Sequence, residues 1–224
     1  MVINAGVARV SHLISKLRAA ISNMNSINRK AITGVILSGG KNTRMGFNKA
    51  FLKIDGQRLI DRTIKIFREL FSEIILITNE PAAYLDLDLG IASDIFPGKG
   101  PLGGIYTGLF YATNPYIFVS ACDLPFLDAA FITYMISRVE GYDIIVPRTD
   151  AGYYPLHAIY SRRCIPAIRR LIDKDSLKII GFYKDMRTLI LGPEVILPFY
   201  PGGNMFFNIN TKRDIEGAPY SLVV

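Results

Sequence analysis

The sequence predicts an α/β fold: a mostly parallel sheet with helices on both faces. Three observations predict it. Short continuous apolar runs recur at 31–37, 74–78 and 116–121, as expected of strands buried on both sides. Longer stretches with apolar residues at helical spacing lie between them. The runs stop at turn signals, Gly39-Gly40, Asn79 and Asp123-Leu124-Pro125. Strands that alternate with helices join in parallel through crossovers, which requires helices on both faces.

The elements follow in order. Residues 7–21 place Val7, Val10, Leu13, Ile14, Leu17 and Ile21 on one face, with Arg9, Lys16 and Arg18 largely outside it. This predicts a basic amphipathic helix, followed by an Asn-rich linker to residue 30. Residues 1–30 are therefore set apart from a body spanning 31–224. The segment suits a membrane surface, a partner, or docking on the body, and a start at Met24 would remove it. Residues 31–37 form the first strand. Leu59, Ile60, Ile64, Phe67 and Leu70 mark a helix over 56–71. Strand 74–78 follows, then a helix over 103–113, strand 116–121 and a helix over 127–140. Short strands are expected at 144–146 and 156–160, with a helix near 162–173. Late strands are expected near 187–191 and 205–209.

Bulk properties bound the function. With 224 residues, half of them hydrophobic, the chain can bury a sizeable core. No apolar run reaches the roughly 18–20 residues of a membrane span, so an integral membrane protein is not expected. Two cysteines make no disulfide framework, and no secretory signal is evident; cytoplasmic residence is the expectation. The net charge is +7, but residues 1–30 carry five basic residues and no acid, leaving +2 for the body. Nucleic acid is not expected as a partner, since the body lacks a dense basic patch interleaved with aromatics.

In open α/β sheets, ligands bind beyond the carboxyl ends of the strands. The first such segment is Leu37-Ser38-Gly39-Gly40-Lys41-Asn42-Thr43-Arg44-Met45-Gly46-Phe47-Asn48-Lys49. Its glycines let the backbone turn and approach a ligand, and successive N–H groups there can cradle an anion. Arg44 adds a fork of donors for phosphate oxygens. Lys49 adds a compact charge suited to an α-phosphate under attack. It is not a P-loop, because Asn42 stands where Ser or Thr is required, and Gly39-Gly40 does not fit a dinucleotide fingerprint. Asp123, at the end of an apolar strand, can hold Mg²⁺, which keeps waters and takes phosphate oxygens as its other ligands.

The pattern L-x-G-G-x-x-x-R-M-G-x-x-K resembles the opening of the nucleotidyltransferases related to molybdenum cofactor guanylyltransferase. Three later segments resemble the same family in the same order: Asp94 with Gly98-Lys99-Gly100-Pro101-Leu102-Gly103-Gly104, then Cys122-Asp123-Leu124-Pro125, then Phe207-Asn208-Ile209-Asn210-Thr211 with Asp214. The resemblance spans residues 32 to about 216. It implies a three-layer α/β/α Rossmann-like nucleotidyltransferase fold. It implies transfer of GMP from GTP to molybdopterin, yielding the guanine dinucleotide cofactor and pyrophosphate. Lys49, Arg44 and Asp123 would carry the chemistry, with Asp123 holding Mg²⁺. Leu37, Ser38, Gly39 and Gly40 would line the nucleotide through the main chain, Asp94 would bind guanine, and Asn79 would be a further nucleotide contact. The family commonly has Ala where Ser38 stands. Asn208 and Asn210, on one side of a strand, would lie near the acceptor and the metal. Molybdoenzymes or cofactor-delivery proteins would be transient partners.

Other readings stay open at this point. The scaffold also serves cytidylyl and sugar-phosphate transfer, and a non-catalytic nucleotide-binding regulator could share it. Cys122 reads as a packed residue rather than a nucleophile. His157 reads as buried and hydrogen-bonded rather than catalytic. Residues 96–104 read as an irregular loop able to close over a ligand, with Lys99 a solvated lysine or a phosphate contact.

Overall fold

The computed structural model describes residues 32–39, 48–199 and 205–209. The basic N-terminal segment lies outside them. In chain order the elements are β1 (Ile32–Ser38), a 3-10 turn (Lys49–Phe51), the small hairpin β2 (Lys53–Ile54) and β3 (Gln57–Arg58), and α1 (Leu59–Leu70). Next come β4 (Ile74–Thr78), a 3-10 turn (Pro81–Tyr84), β5 (Gly90–Ala92), α2 (Gly100–Tyr111) and β6 (Tyr116–Ala121). α3 (Ala129–Ile136), β7 (Ile144–Thr149), β8 (Gly152–Tyr153), β9 (His157–Ser161) and α4 (Ile165–Asp173) follow. A 3-10 segment (Ile179–Asp185), β10 (Thr188–Leu191) and α5 (Pro193–Ile196) complete the order.

The main sheet runs β10-β7-β9-β6-β1-β4-β5. β1 pairs in parallel with both β4 and β6, and β4–β5 and β7–β10 are parallel too. β9 runs antiparallel to β6 and β7, and β8 folds back antiparallel on β7. The mostly parallel expectation holds, with β9 as the reversed strand.

Alternate residues of β1 serve opposite faces, because successive strand side chains point opposite ways. Ile32 and Ile36 join one core with Ile60, Ile64 and Phe67 of α1 and Phe131 and Met135 of α3. Val35 joins the other with Leu102, Ile105 and Leu109 of α2 and Ile168 and Ile172 of α4. Each such side chain, when fully buried, contributes about 1.5–3 kcal/mol relative to exposure. The result is the expected three-layer arrangement. α3 starts where Asp128 caps it, Oδ1 accepting from Phe131 N at 2.7 Å.

Two expectations fail. Residues 205–209 form a turn and irregular backbone instead of a strand. Ile209 N donates to Asp123 O at 3.1 Å, and the Ile209 side chain is buried with Leu52 and Leu59. Alternating exposure is present without a strand ladder among the described residues. The segment 96–104 is also more regular than expected, since α2 begins at Gly100. Gly98 and Gly100, at φ +82° and +61°, make the left-handed turn that leads into it, and Pro101 suits a first helical turn.

Candidate active site

The strand order reverses at β1. From β1 the chain moves outward through β4 and β5, then returns to pair β6 on the other side. The carboxyl ends of β1 and β6 therefore flank a crevice of the kind where α/β sheets bind ligands. Leu37 and Ser38 end one strand, and Cys122 and Asp123 follow the other. Cys122 N donates to Leu37 O at 3.1 Å, which stitches the two ends together.

Lys49 reaches this crevice from the 3-10 turn. Asn48 caps the turn, its Oδ1 accepting from Ala50 N at 3.0 Å. Ala50 is fully buried, and the Phe51 ring stacks on Tyr84 with centroids 5.0 Å apart. These contacts place Lys49 Nζ 3.7 Å from Asp123 Oδ2, with 26% and 20% of the two side chains exposed. Burial pushes the Asp123 carboxyl above its ordinary value, and the Lys49 ammonium opposes that rise. The bond from Ile209 N to Asp123 O brings the 207–209 segment to the same place, with Asn208 exposed at the surface.

Asp94 follows β5. Its Oδ1 accepts from Phe96 N at 3.0 Å and from Thr107 Oγ1 at 2.8 Å, while Thr107 Oγ1 accepts from Ile95 N at 2.9 Å. This network fixes the carboxylate against α2. A Cβ on Gly103 would lie 2.9 Å from Asp94 Oδ2 and 2.9 Å from Phe96 O, so glycine is required there. A Cβ on Gly104 would lie 3.0 Å from Leu37. Adjacent residues of α2 thus touch Asp94 and the end of β1.

The structure brings Leu37, Ser38, Lys49, Asp123 and Asn208 to one end of the sheet, with Asp94 anchored on the helix beneath. Asn79 is exposed at the end of β4, where Thr78 pairs with Ser38. Gly39 is exposed at the end of β1. Gly40, Arg44 and Asn210 lie outside the described residues. Lys99 pairs with Asp175 at 2.9 Å on the surface, and not with solvent alone. Cys122 is buried, receives Ser38 Oγ at 3.4 Å, and has its thiol pushed up to about 11 by burial. It is a packed thiol, as expected.

His157 corrects an expectation. It is fully buried among Phe118, Phe131 and Phe206, but neither ring nitrogen has a hydrogen-bond partner. Tyr84, Asn48 and Thr107 were missed in the sequence. Tyr84 ends a short Pro-Ala-Ala-Tyr turn without periodicity, and nothing in its neighbourhood signals a role.

The sequence profile of the MobA-like NTP transferase domain matches residues 34–186. The chain belongs to that family. The transferase is 37% identical over 190 residues to the molybdenum cofactor guanylyltransferase of Desulfosudis oleivorans, covering 84% of this chain and 94% of that protein. It is 37% identical over 186 residues to the probable molybdenum cofactor guanylyltransferase of Pelotomaculum thermopropionicum, covering 83% and 91%. The fold resembles that of molybdopterin-guanine dinucleotide biosynthesis protein A from Archaeoglobus fulgidus, with a TM-score of 0.72, 22% identity, and coverage of 84% of this chain and 97% of that one. Among the described residues, no helix is long and apolar enough to cross a membrane.

Proposed function

We propose that this transferase moves GMP from GTP to a molybdopterin-type acceptor, forming the guanine dinucleotide cofactor and releasing pyrophosphate. The observation that carries the reading is the Lys49–Asp123 pair, 3.7 Å apart at the β1/β6 switch point. The names of the relatives supply the substrates.

In the reaction, an oxygen of the acceptor's terminal phosphate bonds to the α-phosphorus of GTP. The bond from the α-phosphorus to the bridging oxygen breaks, and pyrophosphate leaves with the electron pair. Lys49 offsets the charge that grows on the α-phosphate oxygens. Arg44 and the Gly39-Gly40 amides hold the remaining phosphates. Leu37 and Ser38 line the nucleotide through the main chain, with Asn79 at its edge. Asp94 accepts from the guanine N1–H and N2–H₂ through Oδ2, since the hydrogen bonds that anchor it fall on Oδ1. Asn208, exposed beside Asp123, and Asn210 are assigned to the acceptor.

A divalent metal fits Asp123. The described residues hold no cluster of three or more His, Cys, Asp or Glu able to bind a metal. A single carboxylate beside a triphosphate suits Mg²⁺, which binds few protein groups and completes its shell with phosphate oxygens and water. Bound there, Mg²⁺ supplies positive charge against the triphosphate oxygens. Cytoplasmic residence and transient contact with proteins that receive the product belong to the same proposal. Both cysteines are free and buried, as suits a reducing compartment.

The test is incubation with Mg²⁺, the molybdopterin acceptor and each nucleoside triphosphate in turn, following pyrophosphate. Release with GTP and acceptor together is expected. Transfer from CTP in preference to GTP would overturn the guanine assignment.

A further inference from the structure

A row of buried and partly buried polar groups connects the residue before Lys49 to the residue before Asp123. Asn48 Nδ2 lies 2.7 Å from Tyr84 Oη, Tyr84 Oη lies 2.5 Å from Ser38 Oγ, and Ser38 Oγ donates to Cys122 Sγ at 3.4 Å. The direction of the row follows from its ends. Asn48 Oδ1 is taken by Ala50 N, so the amide must present its N–H₂ to Tyr84. Tyr84 Oη then accepts from Asn48 and donates to Ser38 Oγ, which passes its own proton toward sulfur. Each hydroxyl donates once, and no two donors face each other.

The Tyr84 ring alone does not account for this. The ring is fully buried and stacks on Phe51, which a phenylalanine would do equally well. The hydroxyl is the part that needs a reason, because a buried hydroxyl is costly unless paired. Its two partners lie 46 and 36 residues away in sequence, on the end of β1 and on the cap of the 3-10 turn. We propose that Tyr84 is a positioning residue whose hydroxyl ties the end of β1 to the Asn48 cap and so sets the separation of Lys49 and Asp123. It acts through Asn48 on one side and through Ser38 and Cys122 on the other. The kinetic consequence rests on the function proposed above; the structural consequence does not.

The test compares wild type, Tyr84→Phe, Ser38→Ala and the double variant. Tyr84→Phe keeps the ring and removes the oxygen. In guanylyl transfer its kcat is expected to fall about tenfold, with KM for GTP within about threefold, because Lys49 acts on charge that develops in the transition state and small displacements there are costly. A role in stability alone would lower the melting temperature and leave kcat unchanged at 25 °C, and that result overturns the proposal. The double variant is expected to be no slower than Tyr84→Phe, since both changes cut one row. Losses that multiply would also overturn it. An arm independent of activity follows amide hydrogen exchange. Phe51 N donates to Asn48 O and Leu52 N to Lys49 O. These amides and Ala50 N are expected to exchange about fivefold to tenfold faster in Tyr84→Phe, with α4 unchanged. Unchanged exchange at 50–52 refutes the positioning role whatever the substrate is. If wild type transfers no nucleotide, the proposed function fails and the exchange arm alone decides on Tyr84.

Discussion

Acid should destabilise this protein through His157. The imidazole is fully buried against aromatic rings, and burial lowers its pKa from 6.5 to about 3. The unfolded chain takes up the proton below about 6.5, while the folded chain refuses it until about 3. The unfolded state binds more protons throughout that window, so stability is full above it and is lost as pH falls through it. By pH 5 the loss is about 2 kcal/mol, from 1.36 kcal/mol for each unit below the unfolded pKa. That is a large share of a typical total of about 5–15 kcal/mol. The Asp143 carboxylate is held below its ordinary value by Arg187 and weakens folding only in stronger acid. Asp123, with its raised carboxyl, acts in the opposite sense. The assay is urea unfolding of wild type and His157→Leu at pH 7.5, 6 and 5. The difference in unfolding free energy, wild type minus variant, should fall by about 2 kcal/mol between pH 7.5 and 5. The variant should be at least as stable at pH 7.5, since it removes two unpaired buried nitrogens. A difference that stays constant with pH would refute the reasoning, because His157 would then titrate alike in both states.

Three further outcomes are expected. Lys49→Met and Asp123→Asn should each lower kcat for nucleotidyl transfer by roughly 10²–10³-fold, the cost of losing one group aimed at developing charge. Lys49→Met should also lower the melting temperature, because it leaves the largely buried Asp123 carboxylate without that partner. Pyrophosphate release and thermal unfolding check the two halves. Wild type should prefer GTP to ITP by about tenfold, since ITP lacks the N2 amine and leaves part of Asp94 unpaired. Asp94→Asn should erase that preference in competition assays. Gly103→Ala should weaken GTP binding, seen as a raised KM, because the new Cβ would sit 2.9 Å from both Asp94 Oδ2 and Phe96 O. An unchanged KM would mean that Asp94 does not face the base.

How much was legible depended on whether the signal was local. β1, β4 and β6 announced themselves as apolar runs because strands buried on both faces admit little else. α1 was legible from Ile60, Ile64, Phe67 and Leu70, though residues 56–58 of the expected helix proved to belong to the hairpin before it. β5 was not legible: three residues, Gly-Ile-Ala, at the edge of the sheet carry no periodic pattern. The 205–209 expectation failed for a related reason. Alternation reports that one side is buried, and Ile209 buries its side chain against Leu52 and Leu59 with no strand partner among the described residues. The strand-end rule pointed to the segments at the ends of β1 and β6, which hold Ser38 and Asp123, while Leu37 came from the resemblance. The supports of the site were beyond reach. Thr107 holds Asp94 from 13 residues away, and Tyr84 joins Ser38 and Asn48 across still longer separations. Contacts of that kind depend on the packed structure and leave no spacing to read.

The Lys49–Asp123 pair suggests why the site is arranged as an ion pair at all. Each group alone would face a cost in this crevice, as the raised Asp123 carboxyl indicates. Paired at 3.7 Å, each lowers the cost of the other while no nucleotide is present. In the proposed reaction Lys49 would serve the α-phosphate, and Asp123 would hold the divalent metal, which would supply positive charge against the triphosphate. The substitution Lys49→Met would therefore do two things. It would remove charge from the transition state, and it would drive the Asp123 carboxyl further up in the free protein. A carboxyl that is protonated must lose that proton before it can bind a metal, so the variant's metal affinity should depend on pH more steeply than that of wild type.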